Sequence, residues 1–219
     1  NKESELYKLT GTLYDEYGVI VGGSSVSTIT VDSNGVLKLD GISVTHTDTR
    51  LGYVITVSEN GKLVMYNGLI SSKIGGVYNI GAFLMQGGEI SNNFAIDGGG
   101  VRNRGIFRMS GGEISGNSAG NDGGGVYNED TFEMSGGEIS GNSGAIGGGI
   151  YNWGGAVTPY DQYGGSFTLS GGLISGNTAW RGGGVGNHGV FAMSGGEISN
   201  NNATVNGGGV TNGQILARA

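Results

Sequence analysis

Nine letters, MSGGEISGN, stand at 109–117 and again without change at 134–142, and near copies stand at 85–93 (MQGGEISNN), 169–177 (LSGGLISGN) and 193–201 (MSGGEISNN). A segment written five times restricts the fold more than any bulk property, because self-similarity at a fixed period is the mark of stacked structural repeats. The nonapeptide belongs to a longer unit, read best from GGGVRNRGIFRMSGGEISGNSAGND at 98–122 and GGGVYNEDTFEMSGGEISGNSGAI at 123–146. The aromatic or leucine two places before the Met/Leu position marks the phase: Leu37, Leu63, Phe83, Phe107, Phe132, Phe167, Phe191 and Leu216, at intervals of 26, 20, 24, 25, 35, 24 and 25 residues. The period is near 24, and the single long interval places an insertion in NWGGAVTPYDQYGGS at 152–166.

Within a unit the apolar positions alternate: Val101 and Asn103, Phe107 and Met109, then Ile114, with Arg102, Arg108, Glu113 and Ser115 between them. Side chains two apart share a strand face, whereas a helix needs three or four. Three short strands in about 24 residues cannot bury their inward residues alone, so each unit must stack on the next. The expected fold is all-β: a right-handed parallel β-helix of about seven to eight coils with three short strands per coil, equivalent residues lying about 4.8 Å apart along a rod ~34 Å long.

Stacking explains the repetition, since each position of the unit becomes a column of like residues. Phe83, Phe107, Phe132, Phe167 and Phe191 are expected inside, with Met85, Met109, Met134, Leu169 and Met193, and with Ile90, Ile114, Ile139, Ile174 and Ile198 as a third wall. Two asparagine columns are expected to hydrogen-bond along the rod, one through Asn79, Asn103, Asn128, Asn152, Asn187 and Asn212, the other through Asn93, Asn117, Asn142, Asn177 and Asn201. The glycine triplets, such as 123–125, fit corners where backbones approach closely.

Composition narrows the class further. Glycine supplies 50 of 219 residues without a collagen-like register, proline 1 and cysteine none, so neither disulfides nor cysteine-bound zinc can hold the chain together. A net charge of −7 with scattered Lys and Arg argues against a nucleic-acid surface. No apolar run approaches the ~20 residues of a membrane helix. The chain opens at Asn1 without a signal-like stretch, so targeting information is expected to have been removed or to lie elsewhere.

These repeats resemble those of right-handed β-helical surface proteins of the bacterial and archaeal adhesin-like type, and are similar to the repeats of polymorphic outer-membrane proteins. GGGVYN matches the GGA-I motif of the latter with Gly for Ala, and ISGNSA matches their F-x-x-N motif with Ile114 where that family has Phe. The resemblance covers about 74–216. It implies an extracellular, cell-surface module, a rigid stalk or surface that binds a host or environmental glycan or a surface protein, without nucleic acid and without a membrane span in this chain. Residues 1–30 read as a β-rich N-terminal cap, 31–219 as the β-helix, with degenerate coils to about 73 (NGVLKLDG, NGKLVMYNG), regular coils at 74–216 and a truncated final coil open to end-to-end stacking.

The fold is also similar to that of pectate-lyase-like polysaccharide lyases and hydrolases, which makes a carbohydrate-active enzyme the alternative. Glu89, Glu113, Glu138 and Glu197 are expected in an outward column that Leu173 interrupts. Stacked carboxylates suit a paired-carboxylate glycosidase or a calcium site with Glu89, Glu113 and Glu138 as candidate ligands; the plain reading is a solvated ladder repeated because the coil is repeated. An active centre is one irregular place, and no catalytic constellation or cofactor site is assigned. His46 and His188 are far apart in the chain, and no Ser/His/Asp arrangement stands out.

Function is expected where the repeat breaks. The insertion holds Trp153, Pro159, Tyr160, Asp161 and Tyr163, aromatic and acidic groups suited to a sugar or peptide, and Trp180 and Arg181 replace small corner residues. The candidate ligand-binding residues are therefore Trp153, Tyr160, Asp161, Tyr163, Trp180 and Arg181, against the plainer reading that both tryptophans cover apolar corners. Tyr78, Tyr127 and Tyr151 form a further outward column interrupted by Arg102, while Arg102, Arg104 and Arg108, beside Glu113 and Glu133, are expected in cross-strand salt bridges.

Overall fold

The structure, a computed structural model, describes residues 6–8, 19–22, 27–47, 52–155 and 164–213. Among them every element is a strand and every strand pairing is parallel, so no helix long and apolar enough to cross a membrane is present. The chain is a parallel β-solenoid of about seven turns, as the repeat requires. Three eight-stranded sheets form its walls. In one regular coil the Gly–Val sheet takes Val126–Asn128, the Phe–Met sheet Thr131–Met134 and the Glu–Ile sheet Glu138–Ser140. A fourth, five-stranded sheet closes the corner before the glycine triplet; its strands are Phe94–Ala95, Ser118–Ala119, Ser143–Ile146, Thr178–Arg181 and Asn202–Asn206. The two shortest of these carry no alternation of their own, and they are held by pairing with the coil above and below.

Each expected column is in register. Leu37, Leu63, Phe83, Phe107, Phe132, Phe167 and Phe191 lie opposite one another in successive coils. The five phenyl rings stack at 4.6–5.0 Å between centroids and within 16° of parallel, the spacing that the strand separation dictates. The methionine and isoleucine columns complete the core, fully buried from Met85 and Ile90 to Leu169 and Ile174 and only partly buried at Ile198. Burying these side chains along the whole rod offsets the backbone entropy lost by so many glycines. Met193 faces the same way as Leu169 but is 49% exposed, because no described strand of its sheet lies beyond it.

Both asparagine columns are continuous ladders. Asn79, Asn103, Asn128, Asn152 and Asn187 each donate from Nδ2 to the Oδ1 of the next asparagine at 2.7–2.8 Å. In the second ladder Asn93, Asn117, Asn142 and Asn177 donate to the next Oδ1 from both Nδ2 and backbone N–H, at 2.9–3.0 Å, and the other Nδ2 proton goes back to an isoleucine carbonyl of the preceding coil. All these amides point the same way. Hence the first member of each ladder, Asn79 and Asn93, keeps a buried Oδ1 without a donor.

Glycine is required where coils touch backbone to backbone. Gly137 sits at φ +85°, and a Cβ there would lie 2.7 Å from the Gly112 carbonyl of the coil below. The insertion leaves the stack undisturbed: Asn152 ends its strand, Gly165 N–H closes the loop base onto the Trp153 carbonyl, and Ser166 resumes the register opposite Thr131. Most of the segment 1–30 lies outside the described residues; Leu6–Lys8 and Val19–Gly22 add one strand each, pairing with Val36–Leu39 and Ile42–His46. Residues 214–219, with Leu216 and the expected final coil, also lie outside them.

Candidate functional site

The outward faces differ from one another in chemistry, and three places stand out. The first is the groove beside the glutamate column. Glu89, Glu113 and Glu138 are in register on neighbouring strands, followed by Leu173 and Glu197. With Asn67 and the glycines at 68, 88, 112, 137 and 172, the first three line an open groove of about 640 Å3 along the rod. Its floor is low because five consecutive coils place a glycine there. Among the described residues no three His, Cys, Asp or Glu converge in a geometry that could hold a metal ion.

The second place is the outer face of the Gly–Val sheet, where Thr56, Tyr78, Arg102, Tyr127, Tyr151, Gly186 and Thr211 occupy one column. Tyr53 stacks on Tyr78 at 5.5 Å, the Arg102 guanidinium lies over Tyr127 at 5.3 Å, and Tyr127 leans on Tyr151 at 5.1 Å. Arg102 pairs with Glu129 (2.8 Å) and Asp97 (3.7 Å), Arg104 with Glu129 (3.2 Å), and Arg108 with Glu133 (2.7 Å). The expected salt bridges are thus present, but Glu129 rather than Glu113 serves the first two. Glu113 lies on a different wall, across a corner that linear spacing does not reveal. Burial raises the pKa of Tyr53, Tyr127 and Tyr151, so these phenols are neutral donors at ordinary pH.

The third place lies in the two coils that flank the insertion. Tyr151 is buried, and its hydroxyl is hydrogen-bonded to His188 Nδ1 at 2.9 Å, with the two rings edge to face. His188 follows Asn187 as Trp153 follows Asn152, so the imidazole sits at the root of the insertion, its backbone N–H on the Asn152 carbonyl. Burial, and then the positive charge of Arg181, hold the His188 pKa below its usual value. Arg181 is on the corner strand Thr178–Arg181. Its guanidinium lies 4.5 Å over the ring of Trp180, and Trp180 as a whole is 51% exposed.

Of the six candidate binding residues, Trp153 lies at the insertion end of the Gly–Val strand, beside His188, and Trp180 and Arg181 lie at the corner where the next such strand begins. Trp153 is half-buried at the mouth of the insertion; Trp180 projects into solvent. Tyr160, Asp161 and Tyr163 lie outside the described residues. Two participants were not singled out from spacing alone, His188 and Tyr53. Both act through register, His188 beside Trp153 and Tyr53 above Gly75, and a phase-aligned reading of the repeat would have brought each next to the tyrosine column. His46, in contrast, is buried against Thr28 Oγ1 at 2.9 Å and belongs to the packing of the early coils.

No protein-family model, no curated protein and no solved structure matches this chain. The resemblance to adhesin-like proteins therefore rests on the repeat residues alone, and that to pectate-lyase-like proteins on the fold alone.

Proposed function

We propose that this chain is a non-catalytic binding module of an extracellular, cell-surface, adhesin-like protein: a rigid rod that presents one irregular patch to a glycan or to a surface protein. The observation that carries the reading is the coincidence of departures. The insertion root with Trp153, the exposed Trp180, Arg181 and the Tyr151–His188 pair all fall within two consecutive coils, while the regular coils before them, from about residue 74, repeat their inward columns almost without change. An exposed aromatic face beside polar donors suits the apolar face and hydroxyls of a sugar, or a peptide side chain. The stacked walls hold that patch on a scaffold that does not rearrange around it.

The groove at Glu89, Glu113 and Glu138 favours a second reading, a carbohydrate-active enzyme. Adjacent strands place two carboxylates near the separation of a retaining glycosidase. Such a pair must, however, flank the scissile bond, and these glutamates stand side by side on one wall, facing the same way. The test is incubation with acidic and neutral polysaccharides, with calcium and with chelator, following both retention of the polymer and new reducing or unsaturated ends. Retention without cleavage is the expected result. Calcium-dependent cleavage that Glu113→Gln abolishes would replace the binding reading with the enzymatic one.

A further inference from the structure

Arg181 breaks a pattern that the three preceding coils keep. The residue just before the glycine triplet turns over the outer face of the Gly–Val sheet, and in successive coils it is Asp97, Asp122, Ile146, Arg181 and Asn206. Each of the first three has a partner in the stack. Asp97 meets Arg102, the outward residue of the strand that follows, at 3.7 Å; Asp122 Oδ1 accepts from Ile146 N–H at 3.0 Å; Ile146 covers Gly186, where a Cβ would lie 2.5 Å from its Cγ2. At Arg181 the equivalent of Arg102 is Gly186, which has no side chain to offer. Among the described residues no carboxylate pairs with Arg181, and its buried Nε has no hydrogen-bond acceptor.

A buried guanidinium donor without an acceptor is costly to leave unmade. The compensation the neighbourhood supplies is a ring face and not an acceptor. The ring is Trp180, stacked beneath the guanidinium, and the nearby imidazole of His188 is held towards its neutral form by burial first and then by the same positive charge. The guanidinium's planar fork favours bidentate oxyanions, and it is set against an indole half exposed to solvent. An indole takes the apolar face of a pyranose, and a guanidinium takes a carboxylate.

From this arrangement we infer that the Trp180–Arg181 corner is a subsite for a carboxylate-bearing sugar, a uronic or sialic acid residue of an acidic glycan, with Arg181 as the charge-reading group and Trp180 as the platform. This inference rests on the binding reading above and names the ligand class for it. The net charge of −7 does not oppose it, because the acidic columns lie in other coils or on other walls and the Debye length at physiological salt is about 8 Å.

The test uses matched ligands that differ in the carboxylate alone: oligogalacturonate against its methyl ester, glucuronate oligomers against their methyl esters, and sialyllactose against its methyl ester. Each is titrated calorimetrically into the whole chain and into Arg181→Gln, Arg181→Lys and Trp180→Ala, with melting curves to show that all four fold. The expected result is that at least one acid binds about tenfold or more tightly than its ester. Arg181→Gln should then bind acid and ester alike, Arg181→Lys should keep part of the preference, Trp180→Ala should weaken both, and raised salt should weaken the acid alone. If acid and ester bind equally and Arg181→Gln changes neither, the carboxylate assignment is wrong while the binding reading stands. If no acid of the three binds, the assignment also fails, and the binding reading falls with it only when neutral glycans and proteins are not retained either.

Discussion

Asn142 Oδ1 accepts two hydrogen bonds from Asn117 in the preceding coil, one from its backbone N–H at 2.9 Å and one from its Nδ2 at 3.0 Å. The second Nδ2 proton of Asn117 goes to the Ile90 carbonyl at 2.8 Å, so one amide side chain uses both donors and the other both lone pairs. No other side chain of this length supplies two donors and a twofold acceptor. That is why the position is asparagine in every regular coil rather than serine or aspartate.

Asn142→Ala should therefore be costly. It strips the acceptor from two donors of Asn117 and the donor from the Ile114 carbonyl, each buried, at ~1–3 kcal/mol apiece, for a total loss of roughly 3–5 kcal/mol. Asn93→Ala should cost about half as much, because its Oδ1 accepts nothing. Urea unfolding of both variants checks this. Equal losses would show that the ladder is not directional in its energetics.

Phe132→Ala removes one ring from a stack of five and leaves a void bounded by Phe107 and Phe167; a loss of about 3–5 kcal/mol is expected. Ile139→Asp should be worse, since an unpaired carboxylate would stand in a fully buried column. Circular dichroism melting should show no cooperative transition near that of the parent. A parent-like melt for Ile139→Asp would mean that the inward face has been misassigned.

Gly137→Ala should destabilise by roughly 1–2 kcal/mol from its left-handed backbone alone, and by more through the clash with the Gly112 carbonyl. Gly120→Ala is the control, because a Cβ there meets nothing closer than 3.9 Å, and its effect should stay within about 0.5 kcal/mol. Paired chemical denaturation of the two variants gives the comparison.

Asp122 has its pKa raised by burial, an effect opposed by the Ile146 N–H and reinforced by Asp97. Its unfolded form loses the proton at lower pH than its folded form, so the stability it contributes below the unfolded value of 3.8 is lost as pH rises through the folded value. Asp122→Asn keeps an Oδ1 for Ile146 and cannot ionise. Its melting temperature should exceed that of the parent at pH 7 and converge with it by about pH 3. A gain that persists at low pH would assign the effect to something other than the buried charge. His188 acts in the opposite sense: its lowered pKa gives stability above the usual 6.5 that is lost as pH falls through the folded value.

Much of this was legible because a stacked repeat turns periodicity into contact. Phe107 opposite Phe132, Ile114 opposite Ile139 and Asn103 opposite Asn128 all follow from counting 25 residues. The corner strand was not legible: Phe94–Ala95 and Ser118–Ala119 are too short to show a period, and they are strands only because their neighbours are. The pairing of Arg102 and Arg104 with Glu129 depends on which wall each residue faces after a turn, which spacing leaves open. At the candidate site, Trp153, Trp180 and Arg181 announced themselves as departures from the repeat. The missing acceptor at Arg181 did not, because it depends on what the outer face of the following strand offers in three dimensions, and that strand carries Gly186 there.

The second ladder crosses intervals of 24, 25 and 35 residues with bonds of 2.9, 3.0 and 2.9 Å. Contour length and axial length are thus uncoupled: the chain can lengthen at a corner while the rod does not. Height along this molecule is quantised, counted in whole coils, and any segment between two rungs is free to grow sideways without changing how far the rest of the rod reaches.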